Sequence, residues 1–271
     1  MHILLLRQHF APPSAAGSGR PYEMAMRWIA AGHKVTLITS TAKFPKEDKL
    51  DKKINRLDID GMQVIALNIP YHNSYGFFRR VWSFASFARR CASAARDVAN
   101  VDVVLGSSTP LTIALPAVQI AKRKNCPMVF EVRDLWPEMP IAVGALRNPL
   151  LKYVAYKLER YAYHHADRVI ALSPGMASGV VACGYPERRV SVIPNSSDVE
   201  RFRGADVSAQ SFIDKYPFLS GRPIVLYAGT LGKLNGVDYL AEIAQQMKKI
   251  NPAVAFVVIG DGGRQETVRR V

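Results

Sequence analysis

Short apolar runs alternate with longer amphipathic stretches along most of this chain. Apolar runs that predict strands occupy residues 2–6, 34–40, 62–67, 102–106, 128–130, 169–172, 190–194, 223–228 and 254–260. Apolar residues at helical spacing predict helices over about 21–31, 75–99, 107–124, 148–166, 176–183 and 237–250. Strands that alternate with helices predict an α/β fold with parallel sheets.

The alternation is interrupted over residues 199–222, where the pattern becomes irregular and polar. We therefore predict a first domain over 1–198, a linker over 199–222 and the start of a second domain over 223–271. The second domain holds one strand–helix–strand unit before the sequence stops in the opening turns of a helix. Because one such unit cannot bury its own sheet, we expect this domain to be incomplete.

Each predicted domain contains a strand followed by a glycine-containing loop and a helix. The first loop holds Gly17 and Gly19, and the second runs from Gly229 to Gly236. Backbone N–H groups of such a loop, together with the helix N-terminus, can face a phosphate. Two such loops across a cleft would suit a diphosphate. Because the spacing is not G-x-G-x-x-G, a glycine turn without a ligand is an equal alternative.

The stretch 130–137 places charged residues where a strand must end. Arg133, Asp134 and Trp136 follow the apolar residues 128–130, and ligands of open α/β sheets bind at the carboxyl ends of strands. Arg133 could hold a phosphate or a carboxylate, with the Asp134 carboxylate in the same crevice. The alternative is a buried ion pair covered by Trp136.

Ser108 and Thr109 follow the predicted strand 102–106 at the start of the next helix. Small hydroxyl groups at this place could bind an anion or a sugar. Capping of the helix explains them equally well.

The predicted helix 75–99 is amphipathic. Its apolar side holds Phe77, Val81, Phe84, Ala88, Cys91 and Ala95, and the opposite side holds Arg79, Ser83, Ser86, Arg90 and Ser93. A helix that covers the sheet and exposes a basic face is one interpretation. The flank of Phe78, Arg79, Arg80 and Trp82 resembles an interfacial membrane anchor, and each basic residue near anionic lipid contributes about 1 kcal/mol. The second interpretation is therefore weak, salt-sensitive peripheral binding to an anionic membrane.

The composition is that of a soluble globular protein, with 49% hydrophobic residues and a mean hydropathy of +0.00. Lys and Arg number 36 against 22 Asp and Glu, a net charge of +14, which indicates a negatively charged partner: nucleic acid, an anionic membrane or phosphorylated substrates. We find no motif typical of nucleic-acid binding, so nucleic acid is not an expected partner. Three widely separated cysteines indicate a reducing compartment. No stretch is long enough for a signal peptide or a membrane span.

Residues 43–60 are charged, and we predict that they form a loop. Asp58 and Asp60 resemble the D-x-D pair with which some sugar transferases hold a metal. Because Gly61 and a predicted strand follow, we predict a turn here and no metal site.

Segments spread over nearly the whole chain resemble the retaining glycosyltransferases of family 4, and among them the bacterial surface-polysaccharide members. That family has the GT-B fold of two facing Rossmann-like domains. The matching segments are Gly17–Thr39 with 32–36, then 133–138, 166–170 with 172–173, 192–195 with Asp198, 227–229 with Gly236, and 259–262. Each is common alone, and their order and spacing carry the resemblance.

The resemblance implies transfer of a sugar, with retention and without a metal or cofactor, from a nucleotide-diphosphate donor, expected to be a UDP-sugar. The expected acceptor is a polyprenyl-linked saccharide or a polysaccharide, and the expected location is the cytoplasmic face of the cell membrane. Asp134 and Arg133 would lie at the catalytic site, and Ser108 and Thr109 on the acceptor side. The donor would be bound by Gly17, Gly19, Gly229, Thr230, Lys233, Asn235, Asp261 and Gly262.

The sequence departs from the family in three respects. Many members carry a histidine where Arg133 stands, which leaves Asp134 as the expected catalytic-site carboxylate. Thr230 and Asn235 stand where the family commonly has an arginine and a lysine, so Lys233 is the cation left in that loop. The family's two spaced glutamates, which hold the donor, would come after the position of Val271, and we therefore expect the chain alone to be weakly active or inactive. A non-catalytic fragment that binds a membrane or partner, and a nucleotide-sugar epimerase, are the alternatives.

Overall fold

The computed structural model describes residues 1–15, 19–72, 75–144, 146–196, 199, 210–232 and 235–270. The chain forms two compact units, Met1–Ser197 and Asp198–Val271. Residues 200–209 of the predicted linker lie outside the described residues, and helix Gln210–Lys215 lies within its remainder.

The first unit is built on an eight-stranded sheet in the order β3-β4-β2-β1-β5-β6-β7-β8. Its strands are β1 (His2–Leu6), β2 (Lys34–Ser40), β3 (Ile54–Ile59), β4 (Met62–Leu67), β5 (Val103–Ser107), β6 (Met128–Val132), β7 (Arg168–Ala171) and β8 (Val190–Val192). Neighbouring strands are parallel except β3 and β4, which are antiparallel. The carboxyl ends of β1, β5 and β6 therefore lie side by side, at the switch in strand order where open α/β sheets bind ligands.

Helices cover both faces of this sheet. They are α1 (Arg20–Ala30), α2 (Phe77–Ala94), α3 (Ala114–Lys124), α4 (Glu138–Ala142), α5 (Pro149–His164) and α6 (Pro174–Ala182). Ala25 of α1 packs with Leu5, Val35 and Leu37 in one core. Side chains of α2, α3 and α5 form the larger core on the other face with Leu4, Leu6, Ile38, Val104 and Phe130. Two cores on opposite faces are typical of a doubly wound sheet.

The second unit contains a two-stranded parallel sheet of β9 (Ile224–Ala228) and β10 (Ala255–Ile259). Its helices in the described residues are α7 (Gln210–Lys215), α8 (Val237–Ile250) and α9 (Gln265–Arg269). Apolar residues of β9 are exposed, including Leu226 at 60%. Together the large sheet and the small one confirm the predicted α/β fold with parallel sheets.

The prediction that residues 43–60 form a loop is wrong, because residues 54–59 are strand β3. Asp60 and Gly61 both have positive φ angles, 52° and 84°, and such a two-residue turn pairs β3 with β4 as a hairpin. The predicted turn at this place is confirmed. Asp58 Oδ1 accepts a hydrogen bond from Gly61 N at 2.9 Å, and Asp60 Oδ2 accepts one from Tyr22 Oη at 2.6 Å.

The predicted inward face of the helix after β4 is right in its C-terminal part, where Cys91 and Ala95 are buried in the core, and wrong in its first turns. Phe77 and Val81 of α2 are each 47% exposed, whereas Ser83, expected on the solvent side, is completely buried beside Phe87. The Ser83 hydroxyl accepts a hydrogen bond from Gln8 Nε2 at 3.2 Å and donates one to Pro70 O at 3.2 Å. Because a buried serine with both bonds is satisfied, the helix can turn this side inward.

Candidate functional site

Four of the predicted site residues lie together at the carboxyl ends of β5 and β6. Arg133 and Asp134 follow β6 directly, and Ser108 and Thr109 follow β5. The Thr109 hydroxyl donates to Asp134 Oδ2 at 2.7 Å, and the Arg133 backbone N–H donates to Ser108 Oγ at 3.0 Å. The hydroxyl groups therefore fix the Asp134 carboxylate and the backbone that carries Arg133.

A buried ion pair does lie at this edge, but Arg20 and Glu131 form it. Arg20 Nε and Glu131 Oε1 are 2.8 Å apart, with side chains 8% and 3% exposed. Ser107 Oγ donates to the other carboxylate oxygen at 2.5 Å. Arg20 also donates to the carbonyl oxygens of Ile193 and Pro194, at 3.0 and 2.6 Å. The sequence analysis missed both residues, although a carboxylate inside an apolar strand signals a buried partner.

Arg7 extends the positive charge of this edge from the end of β1. Its guanidinium donates to Ser107 Oγ and to His9 O, both at 3.0 Å. Burial and the nearby charge of Arg133 lower the pKa of Arg7, and burial lowers that of Arg133; both guanidinium groups stay protonated at neutral pH. Burial and the Arg7 charge lower the pKa of His9 to about 4, so its imidazole is uncharged at neutral pH. Positive charge beside hydroxyl groups and a carboxylate can bind an anionic, hydroxyl-rich ligand.

In the second unit, the predicted donor residues lie on two loops that contact each other. Gly229 N donates to Ile259 O at 2.9 Å, Leu231 N to Asp261 O at 3.0 Å, and Gly262 N to Asp261 Oδ1 at 2.7 Å. A Cβ atom at Gly260 would lie 1.8 Å from Gly229 O, so this approach requires glycine. The Thr230 carbonyl accepts from Tyr227 Oη at 2.9 Å, and Asn235 precedes the N-cap of α8.

Two predicted donor residues, Gly17 and Lys233, lie outside the described residues. Gly19 is the N-cap of α1, and its carbonyl accepts from Tyr22 N at 2.8 Å. Its position at the helix N-terminus, beside Arg20, suits an anion.

The flank of α2 is exposed as a patch of aromatic and basic side chains. Phe78 is 86% and Trp82 is 60% exposed. The exposed Arg79 guanidinium lies 3.9 Å from the centre of the Tyr75 ring, while Arg80 is half-buried. Helix α2 contains four arginines and no acidic residue. None of the described helices combines the length and the apolar character that a membrane span needs. Among the same residues no cluster of three histidine, cysteine or acidic side chains is arranged to hold a metal.

Comparison with curated proteins gives a relative that is named for colanic acid biosynthesis. The chain is 22% identical over 285 residues to an Escherichia coli protein described as the putative colanic acid biosynthesis glycosyl transferase WcaI, covering all of this chain and 68% of that protein.

Solved structures share the fold. Anabaena HepE, in complex with UDP and glucose, matches with a TM-score of 0.59 and 15% identity, over all of this chain. The UDP-GlcNAc 2-epimerase of Neisseria meningitidis, bound to UDP-GlcNAc, matches with a TM-score of 0.57 and 14% identity, over all of this chain and 68% of its own length. The chain spans 64% of the HepE chain. The family model of Glycosyltransferase Family 4 matches residues 21–201, two thirds of the sequence, and the chain therefore belongs to glycosyltransferase family 4.

Proposed function

We propose that this chain takes part in transferring a sugar from a UDP-sugar to a lipid-linked saccharide or a polysaccharide. The transfer retains the anomeric configuration and uses no metal. The observation that carries the proposal is the cluster at the ends of β5 and β6, where a fixed carboxylate, hydroxyl groups and guanidinium groups share one edge of the sheet. The WcaI name, with its colanic acid pathway, and the UDP and glucose bound to HepE support the acceptor class and the donor class.

The chemistry assigns separate roles to Asp134 and the cations. As the bond between sugar and diphosphate breaks, negative charge grows on the leaving diphosphate and positive charge on the sugar. Guanidinium and backbone N–H groups stabilise the first, and the Asp134 carboxylate, held by Thr109, stabilises the second. Gly19 and the loop residues Gly229, Thr230, Asn235, Asp261 and Gly262 are proposed to bind the donor, together with Gly17 and Lys233.

We place the protein at the cytoplasmic face of the membrane, bound peripherally. The α2 patch of Phe78, Arg79, Arg80 and Trp82 supports this location, because exposed aromatic rings and basic groups suit an anionic lipid surface. A polyprenyl-linked acceptor would be presented at that surface.

The test is to follow a UDP-sugar by NMR with the chain, with and without a polyprenyl-diphosphate-linked saccharide. We expect UDP to bind, and any UDP release, however slow, to require the acceptor and to give a retained anomer. Asp134→Asn should lower that release and leave UDP affinity within about twofold, because the carboxylate acts on the sugar. Exposed Asp51→Asn is the matched control.

Two of three other outcomes contradict the proposal, donor isomerisation and absence of UDP binding, whereas binding without release agrees with the expected weak or absent activity of this chain alone. Isomerisation of the donor without UDP release would indicate an epimerase. UDP binding without release under any condition would indicate a binding fragment. Absence of UDP binding would remove the donor assignment.

A further inference from the structure

A small pocket in the first unit is lined by cationic and imidazole side chains. Arg7, His9, Gly19, Arg20 and Arg133 contribute to its wall, and its volume is about 80 Å³. Since one water takes about 30 Å³, the pocket has room for a single small group such as a phosphate.

Two residues of the lining each carry a buried nitrogen that the protein leaves without a hydrogen bond. Arg133 Nη1 and His9 Nδ1 are buried and have no hydrogen-bond partner among the described residues. Both oxygens of the Glu131 carboxylate already accept hydrogen bonds, from Arg20 and Ser107. A buried charged donor without a partner is costly unless an acceptor arrives with a ligand.

The charge of the pocket points to an anion. Three guanidinium groups, of Arg7, Arg20 and Arg133, share this wall, and Arg20 is the one paired with Glu131. Burial lowers the pKa of Arg7, and repulsion from the Arg133 charge lowers it further. An oxyanion between them would remove this repulsion and accept from planar groups suited to phosphate.

We propose that this pocket binds a phosphate group, with Arg7, Arg133 and His9 as its donors. The proposal rests on the proposed transferase function and names cations that neutralise a substrate phosphate. Such cations offset the negative charge of a substrate phosphate, and the loop 229–236 of the second unit holds a single cationic residue, Lys233. The phosphate belongs either to the nucleotide donor or to the diphosphate of a lipid-linked acceptor.

Calorimetric titration of the 271-residue chain with pyrophosphate, UDP and farnesyl diphosphate tests the pocket and separates the two sources. Arg133→Gln should weaken pyrophosphate binding about tenfold or more. Arg133→Lys should restore part of it, since it keeps the charge without the planar fork. Arg188→Gln removes the same charge at an exposed position before β8, at the opposite edge of the sheet, and should change affinity less than about twofold.

If Arg133→Gln weakens UDP binding together with pyrophosphate binding, the phosphate belongs to the nucleotide donor. If it weakens farnesyl diphosphate binding instead, the phosphate belongs to the lipid-linked acceptor. If Arg133→Gln binds all three ligands like the wild type, the pocket is not a phosphate site. If the wild type binds UDP in that case, the transferase proposal stands without the pocket. If pyrophosphate binding depends on Arg133 but UDP does not bind, the pocket stands and the UDP donor is wrong.

A measurement on the wild-type protein covers the case in which the variants fail to fold. A phosphate beside His9 favours the charged imidazole and should raise its pKa. We expect saturating pyrophosphate to raise the pKa of His9 measured from the pH dependence of its ring signals by NMR. The signals that disappear in His9→Gln identify those of His9. The exposed His164 should not respond. His9 signals that are unchanged by pyrophosphate would overturn the proposal.

Discussion

At the scale of single residues, Glu159 on α5 is a buried carboxyl group without an ion-pair partner among the described residues. It is 1% exposed, and its Oε1 accepts from Tyr163 Oη at 3.1 Å. Burial, followed by the charge of Glu138, raises its pKa from 4.5 to about 7. The folded protein therefore keeps a proton that the unfolded chain releases at mildly acidic pH.

From this we predict that the first unit loses stability as the pH rises from about 4.5 to about 7, with no further loss from Glu159 above that range. Glu159→Gln keeps an acceptor for Tyr163 without the charge. It should flatten this dependence and raise the free energy of unfolding near neutral to alkaline pH by about 1–3 kcal/mol. Denaturant unfolding followed by tryptophan fluorescence measures this, because Trp28, Trp82 and Trp136 all lie in the first unit.

Exposed Glu187→Gln, also in the first unit, is the control and should leave the pH dependence unchanged. Identical pH profiles for the wild type and Glu159→Gln would show that Glu159 does not titrate in this range.

The sequence pattern could locate Arg133 and Asp134 because they directly follow an apolar strand, whose end is visible in the local sequence. They could not pair Arg20 with Glu131, since 111 positions separate the two residues. A carboxylate within an apolar strand shows that a partner is needed, but which cation supplies it depends on the order of strands. The Arg7 guanidinium was missed for the same reason.

At the scale of elements, Arg20 joins helix α1 to strand β6 and to the segment after β8. Glu131→Ala leaves its buried guanidinium without a carboxylate, and we expect a loss of about 3–5 kcal/mol in the free energy of unfolding. The double variant Arg20→Ala/Glu131→Ala should cost less than the sum of the single variants, by about 0.5–3 kcal/mol. The same fluorescence measurement gives all three values.

The exposed pair of Arg56 and Asp97 provides a matched comparison. Its atoms are 3.1 Å apart, but the side chains are 57% and 69% exposed. Asp97→Ala should therefore cost no more than about 1 kcal/mol. Strictly additive effects at Arg20 and Glu131 would mean that their contact contributes nothing of its own.

For helix α2 the prediction concerns the exposed Phe78 and Trp82. If these rings enter a lipid surface, Phe78→Ser/Trp82→Ser should reduce binding to anionic vesicles about tenfold or more, because each buried ring contributes about 1.5–3 kcal/mol. Tyr239→Ser removes an aromatic ring that is 68% exposed on α8 of the second unit and is the control. Co-sedimentation with vesicles measures the difference, and equal binding of all three proteins would rule out the α2 anchor.

Elements with a strong apolar period were predicted to their observed bounds, as for β2 and β4, which cover residues 34–40 and 62–67. Strand β3 was missed because charged residues interrupt its period and pairing with β4 supplies its stability. The inward position of Ser83 on α2 was missed because one of its buried hydrogen bonds comes from Gln8, which is distant in sequence. In both cases tertiary contacts, and not the local sequence pattern, determine the structure.

At the scale of the whole molecule, the alternation of strands and helices was enough to predict a parallel α/β fold. It did not give the strand order, and the candidate site exists because that order brings the ends of β1, β5 and β6 together. Residues that follow strands far apart in the sequence thereby share one edge. The fold class predicts that such a site exists, but the strand order decides which residues form it.

The net charge of +14 is also a property of the whole chain. Varying the salt concentration separates its electrostatic contribution to membrane binding from that of the aromatic side chains. Raising the salt concentration from about 0.1 M to about 1 M shortens the screening length from about 10 Å to about 3 Å. Binding of the wild-type protein to anionic vesicles should therefore fall steeply, and neutral vesicles should bind little protein at any salt concentration. Phe78→Ser/Trp82→Ser should bind more weakly and yet show the same dependence on salt, because it keeps every basic residue. Wild-type binding that persists unchanged at about 1 M salt would contradict an electrostatic attachment and leave the aromatic side chains as its sole basis.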